Sequence, residues 1–265
     1  MRKIWVLLII AFFGMHFSHA QSLLKKIPDK LVVLTFDDAV LSHYTFVAPL
    51  LKKYKFGATF FVCEFSDPPF ADKIKYMSWE QISKLDKMGF EIGNHTQHHT
   101  HVNKLDPQHF EDELTYIETK SKQYKINKPL VSFAYPGYDV AASAIPILKD
   151  KDYLFARAGG NRPYNPEKDH PYLIPSYTTY ANNKAQIMDA LQQAKDGKIV
   201  VLTIHGVPDD AHPWVTTPPE LFEEYLKYLQ DHQYKVLALR DLANFINVKE
   251  ASEKIQPDYA SVMNK

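Results

Sequence analysis

The chain has 265 residues, 45% of them hydrophobic and 23% charged, with 31 Lys and Arg balanced by 31 Asp and Glu. This length and apolar content suit one sizeable domain with a single core, and the balanced charge gives no sign of a nucleic-acid or polyanion binder. The one cysteine, Cys63, excludes an internal disulfide; within "ATFFVCEF" it reads as a packed thiol at the end of a buried strand.

The N-terminus, "MRKIWVLLIIAFFGMHFSHAQ", sets Arg2 and Lys3 before an apolar run from Ile4 to Phe17 and closes on Ser18, His19 and Ala20. This is the pattern of a cleaved secretory signal peptide over residues 1–20, since the run falls short of the roughly 20 residues a spanning helix needs. The mature chain is expected to start near Gln21, to lack a membrane span and to be periplasmic or extracellular. Losing Arg2 and Lys3 from the 31 basic residues leaves 29 against 31 acidic ones.

Beyond the leader, short β-branched and aromatic runs alternate with helical patterning. The runs are LVVLTF (31–36), ATFFV (58–62), FEIGN (90–94), LVSFAY (130–135), YLFAR (153–157), IVVLTI (199–204) and KVLAL (235–239). Their continuous apolar character is that of parallel strands buried on both faces. Between them, Ser78 and Gln81 form a predicted capping box, Asp106 and Pro107 open a helix, and Pro218 and Pro219 precede another. Repeated βα units imply an α/β fold, either a (β/α) barrel or a doubly wound sheet, and seven strand candidates favour a distorted or incomplete barrel. The domain is expected over residues 21–248, with residues 249–265, "KEASEKIQPDYASVMNK", as a polar C-terminal tail.

In such a barrel the chemistry gathers in the loops that follow the strands. Four polar sites stand there: Asp37 with Asp38, His95, the turn Tyr135-Pro136-Gly137, and His205 with Gly206. Adjacent carboxylates at the mouth of a buried strand call for a cation, which leaves one acid to bind it and the other to act as a base. The segment "EIGNHTQHHTHV" supplies His95, His98, His99 and His101. A helical turn beginning at His95 would put His99 on the same side at i+4, with His98 at i+3 as a competitor and His101 pointing elsewhere. One Asp and two His leave room for water and substrate, which suits a catalytic metal site.

The motifs "TFDDA" (35–39), "HTQHH" (95–99), "FAYPGY" (133–138) and "LTIHG" (202–206), in this order, resemble the polysaccharide deacetylases of carbohydrate esterase family 4, the NodB-homology domain. The resemblance implies a NodB-like distorted barrel and a secreted, metal-dependent hydrolase. Its substrate would be a polysaccharide or oligosaccharide containing N-acetylhexosamine, from which it removes N-acetyl groups. A divalent ion, zinc foremost, would be the cofactor and an acetylated glycan the partner. Carried over by position, the family pattern makes Asp37 the general base, Asp38, His95 and His99 the metal ligands, and His205 the general acid. It also implies a substrate and oxyanion role for the Tyr135 to Gly137 turn and an acetyl-methyl contact for Leu202. Thr96 is expected to order the ligand loop through its hydroxyl.

The chain departs from the family in four places. Ala134 stands where the third motif carries an Arg that holds the catalytic Asp, and Gly137 stands where it has Tyr. Arg157, at the end of the following strand, is the candidate replacement partner for Asp37. Ala39 takes the place of a Gly. The Asp and Trp of the fourth motif are missing between 157 and 198, so Trp214, in the loop after His205, becomes the candidate aromatic wall. Two other readings stand beside deacetylation: an O-acetyl esterase or other C–N hydrolase, and a non-catalytic glycan-binding domain. Against the last, Asp37, Asp38, His95, His99 and His205 are all present.

Overall fold

The structure, a computed structural model, describes residues 22–65 and 72–263. The predicted signal peptide lies outside the described residues. Among these residues no helix is long and apolar enough to cross a membrane.

Seven strands form a closed ring: β1 (Leu31–Phe36), β2 (Thr59–Val62), β3 (Glu91–Asn94), β4 (Ser132–Ala134), β5 (Phe155–Gly160), β6 (Ile174–Thr178) and β7 (Val200–Ile204). All neighbours are parallel, and β1 pairs with both β7 and β2, which closes the barrel. An eighth strand, β8 (Lys235–Leu237), pairs with Leu31, Val32 and Val33 of β1, while β2 takes Thr35 and Phe36. The apolar run at 235–239 is therefore a spur outside the ring. The ring strand β6 escaped the sequence reading because "IPSYT" mixes apolar residues with hydroxyls, and Ser176 turns out to serve a polar network beneath the site.

Both faces of the strands are buried, for the reason the apolar runs gave. Val32, Leu34 and Phe36 pack outward against the helices, whereas Leu31 and Val33 join Phe155, Ile174, Ile199 and Val201 in a second cluster inside the barrel. The outer layer comprises α1 (Ala48–Tyr54), α2 (Trp79–Lys87), α3 (Pro107–Gln123), α4 (Ala144–Asp150), α5 (Lys184–Leu191) and α6 (Pro219–Asp231). The capping box of α2 is complete, and the Asp106 carboxylate accepts the His109 N–H at 2.9 Å to open α3. Leu239, Leu242, Phe245 and Ile246 extend the inner cluster and plug the end of the barrel where the strands begin. Two backbone bonds fix this plug: the Leu239 N–H to Thr59 Oγ1 and the Arg240 N–H to Glu91, both at 2.8 Å.

The C-terminal residues are not a structureless tail. A helix, α7 (Val248–Lys254), buries Val248 and Ala251, and a short turn at Ala260–Val262 packs on β5 and β6. No helix intervenes between those two strands, so Val262, fully buried in the outer cluster, covers a gap the barrel would otherwise expose. Gly160, at φ +112°, admits this segment: a Cβ there would lie 2.8 Å from the Ser261 carbonyl oxygen. The polar composition of 249–265 concealed three small apolar anchors, Val248 just before it and Ala251 and Val262 within it.

Candidate active site

Where the strands end, the loops enclose a cleft of about 240 Å³. Asp37, Asp38, His95, His99 and His205 line it, and its walls include Phe65, Gly137, Tyr138, His212 and Trp214.

Asp38, His95 and His99 form a group that could hold a metal ion, with ligand atoms all within 4.8 Å of one another. Asp38 Oδ1 lies 3.5 Å from His95 Nε2 and 3.4 Å from His99 Nε2. The histidines do not converge through a helical turn, as the spacing suggested. Thr96 and His99 instead adopt left-handed conformations, φ 62° and 55°, that bend the loop back over Asp38. Asn94 shapes the bend by accepting the Thr96 N–H at 3.0 Å, whereas Thr96 Oγ1 is buried without a hydrogen-bond partner among the described residues. The ordering residue is thus Asn94 and not the Thr96 hydroxyl. His98 turns outward to Glu113 at 2.8 Å, and His101 pairs with Asp139 at 2.7 Å.

The chemistry of the three donors fits a divalent cation. His95 donates Nδ1–H to the Ala134 carbonyl at 2.8 Å, which leaves the Nε2 lone pair facing Asp38. Burial, foremost, holds His95 down to about 4 and His99 down to about 2, so both present neutral imidazoles. Burial and then the neighbouring Asp37 charge push Asp38 up to about 8, a cost that a bound cation removes. Cys63 Sγ sits 4.0 Å from Asp38 Oδ1; burial, then Asp38 and Asp37, raise this thiol well above its ordinary range. It is a protonated neighbour and no nucleophile.

Asp37 is in the opposite state. Burial pushes it up, but Arg157, then His95 and His205, outweigh that and leave it below its ordinary value. Arg157 is fully buried, and its Nη2 donates to Asp37 Oδ2 at 2.6 Å. Its Nη1 donates to Thr203 Oγ1 at 2.7 Å. Thr203 and Ser176 hydroxyls meet at 2.8 Å and Ser176 Oγ lies 2.6 Å from the Ala158 carbonyl, so each hydroxyl passes its single proton along the chain and the guanidinium is held in place. An extra residue in β5 between Arg157 and Gly160 breaks the register with β6 beside this arginine. Phe61 and Tyr138 rings each lie 5.4 Å from the guanidinium carbon.

Two expected site residues are elsewhere. Tyr135 packs in the outer cluster with its hydroxyl 3.2 Å from the Tyr172 carbonyl, and Leu202 faces the same cluster because strand alternation sends Thr203 inward. Neither lines the cleft. Gly137 does, at φ 60°, and a Cβ there would come within 2.6 Å of the His101 ring. Trp214 stands on the rim, 74% exposed. His212, Phe65 and Tyr138 line the cleft without being among the residues expected there; a second histidine seven residues after His205, in the same loop as Trp214, is the available signal for the first.

The sequence profile of the polysaccharide deacetylase family matches residues 25–156, ending before His205. A peptidoglycan-N-acetylglucosamine deacetylase of Bacillus cereus is 29% identical over 218 residues, covering 82% of this chain and 90% of that protein. The Bacillus subtilis polysaccharide deacetylase homologue YxkH is 33% identical over 90 residues, 34% of this chain and only 31% of that protein's length. A solved family 4 carbohydrate esterase from Bacillus anthracis superposes with a TM-score of 0.53 at 19% identity, over 83% of this chain and 84% of that one. With a closed barrel of the same kind and the motifs gathered at its mouth, the chain belongs to the polysaccharide deacetylase family.

Proposed function

We propose that the protein is a secreted, metal-dependent hydrolase that removes N-acetyl groups from a glycan containing N-acetylhexosamine. The observation that carries this reading is the pairing, in one cleft, of an ionised carboxylate, Asp37, with the cation-binding group Asp38, His95 and His99. Zinc suits two imidazoles and one carboxylate, and when bound it would supply Lewis-acid polarisation of the acyl carbonyl. Asp37 takes a proton from the attacking water, which adds to the acyl carbon. Arg157 keeps Asp37 charged and fixes its orientation. His205, across the cleft, gives a proton to the nitrogen as the C–N bond breaks, so that acetate and a free amine leave. The backbone around Gly137 faces the developing oxyanion, and Trp214 offers a platform for a sugar ring. The leader pattern supports secretion, and the name of the Bacillus cereus relative makes peptidoglycan the first polymer to try.

One observation favours a second reading, an O-acetyl esterase. His205 Nδ1 is buried without a hydrogen-bond partner among the described residues, so no carboxylate hydrogen-bonds to that nitrogen to support the imidazole as an acid. An ester leaves with less help from an acid than an amide does. Purified protein should be given peptidoglycan, N-acetylglucosamine oligomers and acetylxylan, with acetate and free amine measured. Chelator-sensitive release of both supports deacetylation; release of acetate from acetylxylan alone supports the esterase. No release from any substrate by zinc-loaded protein would contradict both and favour a binding domain.

A further inference from the structure

The ligand set and His205 leave one imidazole of the cleft without a task. His212 is only 15% exposed in its side chain, and its Nδ1 lies 3.8 Å from Asp38 Oδ2. That oxygen is the one turned away from the ligand histidines, since Oδ1 faces His95 and His99. On its other side Nδ1 is 3.4 Å from Asp209 Oδ1. Nε2 lies 3.3 Å from the Tyr76 hydroxyl, whose O–H donated there would leave the proton of a neutral ring on Nδ1; that nitrogen is buried between the two carboxylates and hydrogen-bonds to neither among the described residues. Phe65 and Trp214 pack against the ring with centroids 5.2 and 5.5 Å away.

Asp209 is itself built in. It is 1% exposed, its Oδ1 accepts the Ala211 and His212 N–H groups at 3.0 and 2.6 Å, and its Oδ2 accepts the Gly206 N–H at 2.9 Å. Its own N–H donates to Thr216 Oγ1 at 2.8 Å. The loop after β7 is thus wound around one carboxylate and delivers His212 to the far side of Asp38.

We infer that Asp209 and His212 are positioning residues that brace Asp38, fixing the orientation of the carboxylate from the side opposite His95 and His99. The inference rests on the reading of Asp38 as a cation ligand. Carboxylates that bind metals are commonly held by an outer hydrogen-bonding partner, whose loss weakens metal binding about 10- to 100-fold; the brace requires the 3.8 Å between Nδ1 and Oδ2 to shorten to such a bond when Asp38 takes up the cation.

The test is a zinc titration of chelator-stripped protein against a chromophoric competitor. His212→Phe keeps the ring between Phe65 and Trp214 and removes both nitrogens; the brace predicts zinc affinity weakened about 10- to 100-fold with one site retained. His212→Asn, whose amide nitrogen can replace Nδ1, should recover part of the loss, and Asp209→Asn combined with His212→Phe should lose little beyond the worse single change. The melting temperature of the stripped proteins identifies any variant that fails to fold, in which case the Asn variants carry the comparison. Unchanged affinity in His212→Phe and in His212→Asn would overturn the brace. Asp38→Ala separates this from the parent reading: if it binds zinc like the wild type, or if the wild type binds none, Asp38 is no ligand and both fall together.

Discussion

Two buried carboxylates, one at each end of the barrel, have opposite fates. Asp37 at the mouth is lowered below its ordinary value although burial pushes it up, because Arg157 stands 2.6 Å away. Glu91 at the closed end is raised, burial being the largest cause. Its nearest donors are neutral: the Thr59 and Ser132 hydroxyls at 2.6 Å and the Arg240 N–H at 2.8 Å. Burial is common to both, so the partner decides. A neutral partner makes a staple that joins the plug to β2, β3 and β4, and a cationic partner keeps a carboxylate charged, as the proposed base requires.

The strongest way to break this contrast is to remove the cation site beside Asp37. Asp38→Ala, His95→Ala and His99→Ala should each lose metal and activity together, while His101→Ala keeps its metal; elemental analysis alongside acetate release decides. Full metal content in His99→Ala would mean that another histidine is the ligand. Next in size is Arg157→Ala. It leaves Asp37 buried without its ion-pair partner, at a cost of about 3–5 kcal/mol in stability. If the variant folds, kcat should fall about 10- to 100-fold with little change in KM, the acidic limb of the pH profile should move upward, and metal content should stay the same. An unaltered pH profile would remove Arg157 from the account.

At the closed end the sign reverses. A carboxyl raised in the fold is protonated in both states below its ordinary value of 4.5, and the folded state loses stability as pH rises through the raised value. Glu91→Gln should therefore flatten the fall in stability between acid and neutral pH and remain within about 1 kcal/mol of the wild type at neutrality, with metal content and activity untouched. Denaturant unfolding at several pH values measures this, and a loss above about 3 kcal/mol would show that the charged form is needed. The smallest effect is expected at Ala39, which holds φ 52° where the family has Gly. Ala39→Gly relieves the backbone but gives up a buried methyl, so stability should change by less than about 1 kcal/mol.

How legible each end was in the sequence follows from the same physics. The strands buried on both faces announced themselves through continuous apolar runs, and the motifs at their ends located Asp37, Asp38, His95, His99 and His205. β6 was hidden because its inward Ser176 serves the Arg157 network, and a strand that carries polar residues inward lacks the pattern of one that does not. The C-terminal segment was hidden because Val248, Ala251 and Val262 are too few to outweigh its polar residues in composition. Tyr135 and Leu202 were misplaced because a motif does not state which face of its strand a residue takes, and the parity of Thr203 settles that for Leu202 only once the barrel is built. His212 has one signal, its place seven residues after His205 in the loop that carries Trp214.

The central claim is that Asp37 is a base beside the cation site and not part of it. Asp37→Asn measures this most directly, with metal content and acetate release from an N-acetylglucosamine oligomer determined on the same sample. The account predicts about the wild-type metal content with turnover reduced by roughly three orders of magnitude, within the 10²–10⁴ that a positioned base contributes. Loss of the metal in Asp37→Asn would make Asp37 a ligand and reverse the roles of the two carboxylates.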